Sequence, residues 1–554
     1  MFFAKSVVKR LLLIKLRRNF GQSASNYSVE SVLPFLRNEY GQKLAIKDSL
    51  RSFTYSELLY RSRVLKDQLV AANNGQNLLG KRIAILTPNN ASFTVSQWSA
   101  WMCGAAIVPL CPQHPKPELS YVMQDSQASV IVSSDEHQQV AEELSSKLNI
   151  VHVSLDNLMN SSVSNPMDNF SNLFPDNLLD LPASIMYTSG TTGRPKGVLF
   201  THRRKQAQVN KVSTAWELTS TDILLHILPL HHMHGMVVAL LCPLCAGGTV
   251  KMLPKFDPAS VWKDLLDDSC DLPSNVFMAV PTIYAKLIDY FDEQNFSIEE
   301  TREKCKRFRL MVSGSAALPT PLLHKWKEIT GHVLLERYGT TEFGMGLTNP
   351  LYGPKIPGSV GLPFPGVEAK LVQTDSDGTK TRTIVEATES NFTVHEKAEE
   401  LEGELLVKSD SMFEGYWNKP NETEDSFTEA GWFKTGDTAK FQDGAFFIKG
   451  RTSVDIIKSG GYKISALDIE RTLLEHPAIS EVAVLGIDDE TWGQRIVAVV
   501  KLSDKTQEQE LKDWCKEHLP KYQIPKEFKV VNEIPRNVMG KVNKKQLIMS
   551  LFPK

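Results

Sequence analysis

At 554 residues the chain has room for three or four domains or subdomains of roughly 150 residues each, which excludes a single small binding module. Hydrophobic residues at 42% and charged residues at 23% are those of a soluble globular protein, and no apolar run approaches the ~18 residues of a membrane helix. With 62 Lys and Arg against 64 Asp and Glu, the net charge of -2 lacks the basic excess that holds nucleic acid, and seven cysteines, an odd number, favour a reducing compartment.

Residues 1–25 carry Lys5, Lys9, Arg10, Lys15, Arg17 and Arg18, with no acid before Glu30. Basic residues interspersed among apolar ones predict an amphipathic mitochondrial transit segment and a matrix protein. Removing the segment leaves 56 basic against 64 acidic residues. From Lys81 onward, apolar strand-like runs (RIAILTP, IVPL, ASVIVSS, SIMYTSG) alternate with helical stretches, the signature of βαβ units over a parallel sheet. The alternation resumes with DILLHILPL, NVFMAVP, the helix-like AKLIDYF and RLMVSGSAAL, so two layered halves are expected. Cys242 and Cys245 form a lone C-x-x-C without a second pair or nearby His ligands, and read as buried thiols. Residues 373–402 are polar and without apolar period, and read as a surface insertion in a β-rich region. After Arg451 the texture changes to strands EVAVLGI and RIVAVVKL with a helix around ELKDWCKEHL. The reading is an α/β protein: a large N-terminal domain, 26–450, of layered βα subdomains plus a small β-rich subdomain, then a small C-terminal α+β domain, 451–554.

Met186 to Gly197, MYTSGTTGRPKG, packs glycines, hydroxyls and one lysine behind an apolar strand, as a polyphosphate-gripping loop would. It is not a Walker A loop, because Gly190, Gly193 and Lys196 are spaced three apart and Gly197 follows the lysine. Further along the chain come LPLHHMHG (Leu228 to Gly235), ERYGTTE (Glu336 to Glu342), GWFKTGD (Gly431 to Asp437), GRTSVDIIKSGGYKIS (Gly450 to Ser465) and PRNVMGKVNKK (Pro535 to Lys545).

In this order the motifs resemble the AMP-forming acyl-CoA synthetases, the superfamily of firefly luciferase and peptide-synthetase adenylation domains. The resemblance spans essentially everything after the transit segment. It implies ATP, Mg²⁺ and coenzyme A. Thr188, Ser189, Gly190, Thr191, Thr192, Gly193 and Lys196 would then grip the phosphates, with Tyr338 beside the nucleotide. Thr341 would contact the α-phosphate, and Glu342 would hold Mg²⁺, a hard cation that takes one or two carboxylates plus phosphate oxygens. Asp437 would accept the ribose hydroxyls and Arg451 would position ribose and phosphate. The match to P-R-x-x-x-G-K singles out Lys541 as the lysine that enters for adenylation. The resemblance also implies a mobile C-terminal domain that turns about a hinge near Thr452 and Ser453 for thioester formation, with Gly460 and Gly461 along the pantetheine path.

Most of that family has a small residue where Arg337 stands, against the acyl pocket. A buried guanidinium needs an acid, and a substrate with a second carboxylate would be one. With HHMHG, VSGSAALP and ERYG the region looks like malonyl-CoA synthetases, in which Arg337, His232 and Ser313 would face the substrate carboxylate. Malonate and methylmalonate are not separated by sequence. A medium- or long-chain fatty acyl-CoA ligase, with an apolar tunnel, is the alternative, as is an adenylation enzyme that loads a carrier protein. Small-molecule substrates are the expected partners.

Overall fold

The apolar runs of the first 350 residues close into two sheets. The computed structural model describes residues 38–49, 51–161, 173–188, 194–267, 271–375, 380–395, 401–460, 462–503, 506–536 and 541–553. The proposed transit segment, 1–25, lies outside them. The first sheet has seven strands and centres on Arg82–Leu86, which pairs in parallel with both Ala106–Pro109 and Val130–Ser133. One side continues through Pro182–Thr188, Lys196–Thr201 and Gly415–Tyr416. A second sheet has nine strands, with a parallel centre of Ile223–His226, Val276–Ala279 and Leu310–Ser313 leading into Leu335–Thr340. These central strands are buried on both faces, as a parallel sheet covered by helices requires, and that is why they read as unbroken apolar runs.

Between Lys196–Thr201 and the second sheet runs the helix His202–Ala215, started by Thr201, whose hydroxyl accepts the Arg204 backbone N–H. The motif HHMHG leads into a π-helical stretch, His234–Leu241, a rare geometry that recurs at functional sites. Gly235 is required there, because a Cβ would lie 2.1 Å from the Pro229 carbonyl oxygen. Cys242 and Cys245 are buried, and burial raises both thiols.

Residues 373–402 depart from the expected insertion. Thr381–Ala387 and Phe392–Val394 are strands of a six-stranded antiparallel sheet that also contains Val367–Thr374, Glu402–Ser409, Phe433–Gln442 and Ala445–Arg451. Phe392–Val394 is the edge strand, where Phe392 and Val394 are exposed, and Thr381–Ala387 lies next to it, so little apolar period is needed to hold them.

Past Arg451 the strands Ile456–Ser459, Tyr462–Ser465, Ile479–Asp489, Gly493–Leu502 and Glu527–Val530 form a separate five-stranded sheet. Ile457, Ile464, Ile469, Val484, Val500 and Cys515 pack there into a core of their own. The large domain's core does not extend beyond Phe446 and the partly buried Ile448.

Candidate active site

The nucleotide loop springs from an antiparallel pair in which Thr188 stands opposite Lys196. Ser189, Gly190, Thr191, Thr192 and Gly193 lie outside the described residues. Lys196 holds its ammonium 5.1 Å from the centre of the Tyr416 ring, and the Tyr416 hydroxyl donates to Glu342 Oε1 at 2.9 Å. A cation, a phenol and a carboxylate thus stand in line across the strand ends. Thr341 and Glu342 occupy the turn between Leu335–Thr340 and Gly344–Thr348. Glu342 thus offers a carboxylate already held by the Tyr416 hydroxyl, of the kind that Mg²⁺ shared with phosphate oxygens would need.

Beside it, the Tyr338 hydroxyl donates to Asp437 Oδ2, and Arg451 Nε lies 3.1 Å from Asp437 Oδ1. Burial raises Asp437 above the usual carboxylate range, against the opposing pull of Arg451 and the Tyr338 hydroxyl. Arg451 also donates to the Thr435 carbonyl at 2.6 Å, which fixes the guanidinium.

Arg337 is buried on the next face of the same strand. Its only hydrogen bond among the described residues goes to Ser315 Oγ at 3.3 Å, and its Nε has no partner there. No carboxylate among the described residues pairs with it, and desolvation pulls the guanidinium down to about 9. Gly314 makes room, since a Cβ there would lie 2.5 Å from Arg337 Nε. Ser315, held at a left-handed φ of 70°, shares its hydroxyl with His234 Nδ1 at 3.4 Å. Ser313 Oγ, Thr340 Oγ1 and the Nε2 atoms of His231, His232 and His234 are likewise buried without a partner among the described residues. The His231 and His232 rings lie with centres 3.9 Å apart, tilted by 52° to each other, and both are kept neutral mainly by burial. A polar wall of this kind invites a polar ligand, because unsatisfied buried groups cost roughly 1–3 kcal/mol each.

The C-terminal domain brings Lys541 to the same place. Lys541 is exposed by area yet packed closely enough that desolvation lowers its ammonium, helped by the repulsion of Arg451 and Arg337. Asp437 and Glu342 oppose that shift, and Lys541 in turn depresses His232. Two guanidinium groups therefore bear on the Lys541 ammonium, an arrangement that a polyanion between them would relieve.

Residues 37–417 match the AMP-binding enzyme family, and residues 468–541 match the AMP-binding enzyme C-terminal domain. The chain belongs to the AMP-binding enzyme family. It is 48% identical to the malonate–CoA ligase ACSF3, mitochondrial, of Xenopus laevis, over 93% of this chain and 91% of that protein. It is 39% identical to the malonate–CoA ligase of Arabidopsis thaliana, over 92% of this chain and 86% of that one. Among solved structures, ATP-bound MatB from Rhodopseudomonas palustris superposes with a TM-score of 0.81 at 29% identity, covering 95% of this chain and 99% of MatB.

In this member of the AMP-binding enzyme family, the structure brings together many of the residues that the motifs nominate. Lys196, Glu342, Tyr338, Asp437, Arg451, Arg337, His232 and Lys541 are linked by contact or by charge. Gly460 lies in the other domain, where its N–H donates to the Trp492 carbonyl at 2.9 Å, and Gly461 is outside the described residues. Tyr416 stands outside the motifs, because EGYWNKP carries no charge pattern or glycine spacing that would mark it.

Proposed function

We propose that the protein is a mitochondrial, AMP-forming malonate–CoA ligase. The observation that carries this reading is Arg337, a buried guanidinium without a carboxylate partner among the described residues, set among unpaired Ser and His donors. The distal carboxylate of a short diacid would complete it. The malonate–CoA ligase relatives support the same substrate, and a fatty acyl chain ending in methyl would strand the charge. The ACSF3 relative's mitochondrial name and the six cations before Glu30 support the compartment.

In the first half-reaction an oxygen of malonate attacks the α-phosphorus of ATP, and the bond to diphosphate breaks. Arg337 would hold the far carboxylate so that the near one faces the nucleotide, which converts a bimolecular encounter into a positioned one. Lys196, Lys541 and the hydroxyl loop would take up charge on the phosphates, and Asp437 with Arg451 would fix the ribose. Mg²⁺, held through Glu342, would neutralise phosphate charge. In the second half-reaction the sulfur of coenzyme A attacks the acyl carbon, its thiol proton is lost, and AMP leaves. Gly460 and Gly461 would border the pantetheine arm.

The test is a substrate panel with purified protein, ATP, Mg²⁺ and coenzyme A. Malonate should be turned over with a kcat/KM at least tenfold above acetate, octanoate and palmitate, and methylmalonate ranks the α-substituent. Preference for octanoate or palmitate would overturn the reading. Acyl-adenylate formation from malonate without transfer to coenzyme A would instead support loading of a carrier protein.

A further inference from the structure

Lys544 reads in the sequence as one lysine of a basic tail, yet it is 8% exposed. It opens the last helix, Lys544–Leu551, three residues beyond Lys541. Its ammonium lies 2.6 Å from Asp455 Oδ1 and 2.7 Å from Glu470 Oε1. Burial alone would drag it down, but Glu470 and Asp455 together hold it above the ordinary lysine value.

Each carboxylate is tied elsewhere. Asp455 Oδ2 accepts the Arg451 backbone N–H at 2.9 Å, so the acid that binds Lys544 also fixes the residue whose guanidinium reaches Asp437. Glu470, on the helix Ala466–Leu473, accepts the Val484 N–H at 2.8 Å and is thereby bound to the C-terminal sheet. On the other side of Lys541, Arg536 bridges to Val542 and pairs with Glu481 at 3.1 Å. One buried ammonium therefore joins the strand leaving the large domain, the C-terminal core, and the segment that carries Lys541.

We propose that Lys544 is a positioning residue, a clamp that registers the Lys541 segment against Arg451 so that both cations reach the nucleotide as one unit. It touches no substrate and acts through Lys541. The inference rests on the adenylation reading above.

The test compares Lys544→Met, Lys544→Arg, Lys541→Ala and the Lys541→Ala/Lys544→Met double variant in the full chain. Adenylation is read as malonate-dependent exchange of diphosphate into ATP, with a melting curve for each protein. Lys544→Met should lower the adenylation kcat about 10- to 100-fold, the scale of a misplaced catalytic group, with KM for ATP and malonate changed less than threefold. In the Lys541→Ala background the same substitution should cost less than threefold, because residues that act as a unit are not additive. Lys544→Arg should recover most of the rate. Losses that multiply in the double variant, or a folded Lys544→Met with full adenylation, would overturn the clamp. Should Lys544→Met fail to fold, Asp455→Asn undergoes the same comparison, with the same two outcomes. A parent protein without malonate-dependent exchange refutes the substrate and not the clamp, which is then measured with whichever acid the panel shows to be turned over.

Discussion

Arg337 carries a charge that the fold alone does not neutralise, and its cost and its use come from the same burial. Desolvation pulls the guanidinium down from its ordinary value, yet an arginine keeps its proton across the working pH range, so the buried charge persists until an anion pairs with it. Arg337→Met keeps an apolar stem against Gly314 and removes the charge. Malonate kcat/KM should fall about 30- to 1,000-fold, or ~2 to 4 kcal/mol, from a lost charged hydrogen bond and a stranded carboxylate. Acetate and butyrate should hold level or gain. The melting temperature should hold or rise, since replacing a buried charge by an apolar group is often neutral or stabilising. If malonate and the monoacids fall together, or the melting temperature alone moves, Arg337 is a structural residue. The position was legible because an arginine next to Tyr-Gly is out of place in the motif. Its serine and histidine neighbours were legible as residues but not in their roles, which depend on backbone geometry such as the left-handed Ser315.

Along a strand, neighbouring side chains point to opposite faces, so Leu335–Thr340 gives Arg337 to the acyl side and Glu336 to the other. Glu336 is 3% exposed, accepts the Leu318 N–H at 3.1 Å through Oε1, and leaves Oε2 without a partner among the described residues. Burial raises it to about 7, against the pull of Arg471 from the C-terminal domain. Between about 4.5 and 7 the native state thus binds more protons than the unfolded one, so stability falls as pH rises through that window and levels off above it. The loss is on the order of 3 kcal/mol. Glu336→Gln should abolish this slope, leaving the variant more stable than the parent at pH 8 and nearly equal at pH 5, as thermal melts at both values would register. Parallel curves for the two proteins would mean that Glu336 stays ionised throughout. Elements were legible in proportion to their burial. The central parallel strands read as apolar runs, whereas the exposed edge strand Phe392–Val394 and its half-exposed neighbour Thr381–Ala387 resemble a loop. The π-helical turn at His234–Leu241 has no sequence period to betray it, and Lys544 looked like solvated charge until two distant acids were seen around it.

At the scale of the whole molecule, two hydrophobic cores meet through polar contacts. Lys449 lies 2.6 Å from Asp468, Ser465 Oγ donates to the Lys449 carbonyl at 2.7 Å, and Arg471 reaches the Gly358 carbonyl at 3.4 Å. Among the described residues no apolar cluster is shared across this boundary, the kind of interface that lets domains move against each other. The pose that sets Lys541 against Arg451 and Arg337 suits adenylation, where negative charge gathers between carboxylate and phosphate. It leaves Gly460 turned toward Trp492 within its own domain, and under the proposed two-step reaction the small domain would turn to bring that loop inward for thioester formation. Lys541→Ala should consequently separate the two chemistries. Malonate-dependent exchange of diphosphate into ATP should fall about 10²- to 10³-fold, the usual scale for deleting one preorganised charge. Conversion of supplied malonyl-AMP and coenzyme A to thioester should fall less than tenfold, because the lysine has left the site by then. Equal losses in the two assays would mean that one arrangement of the domains serves both steps, with the polar boundary acting as a fixed interface instead of a hinge.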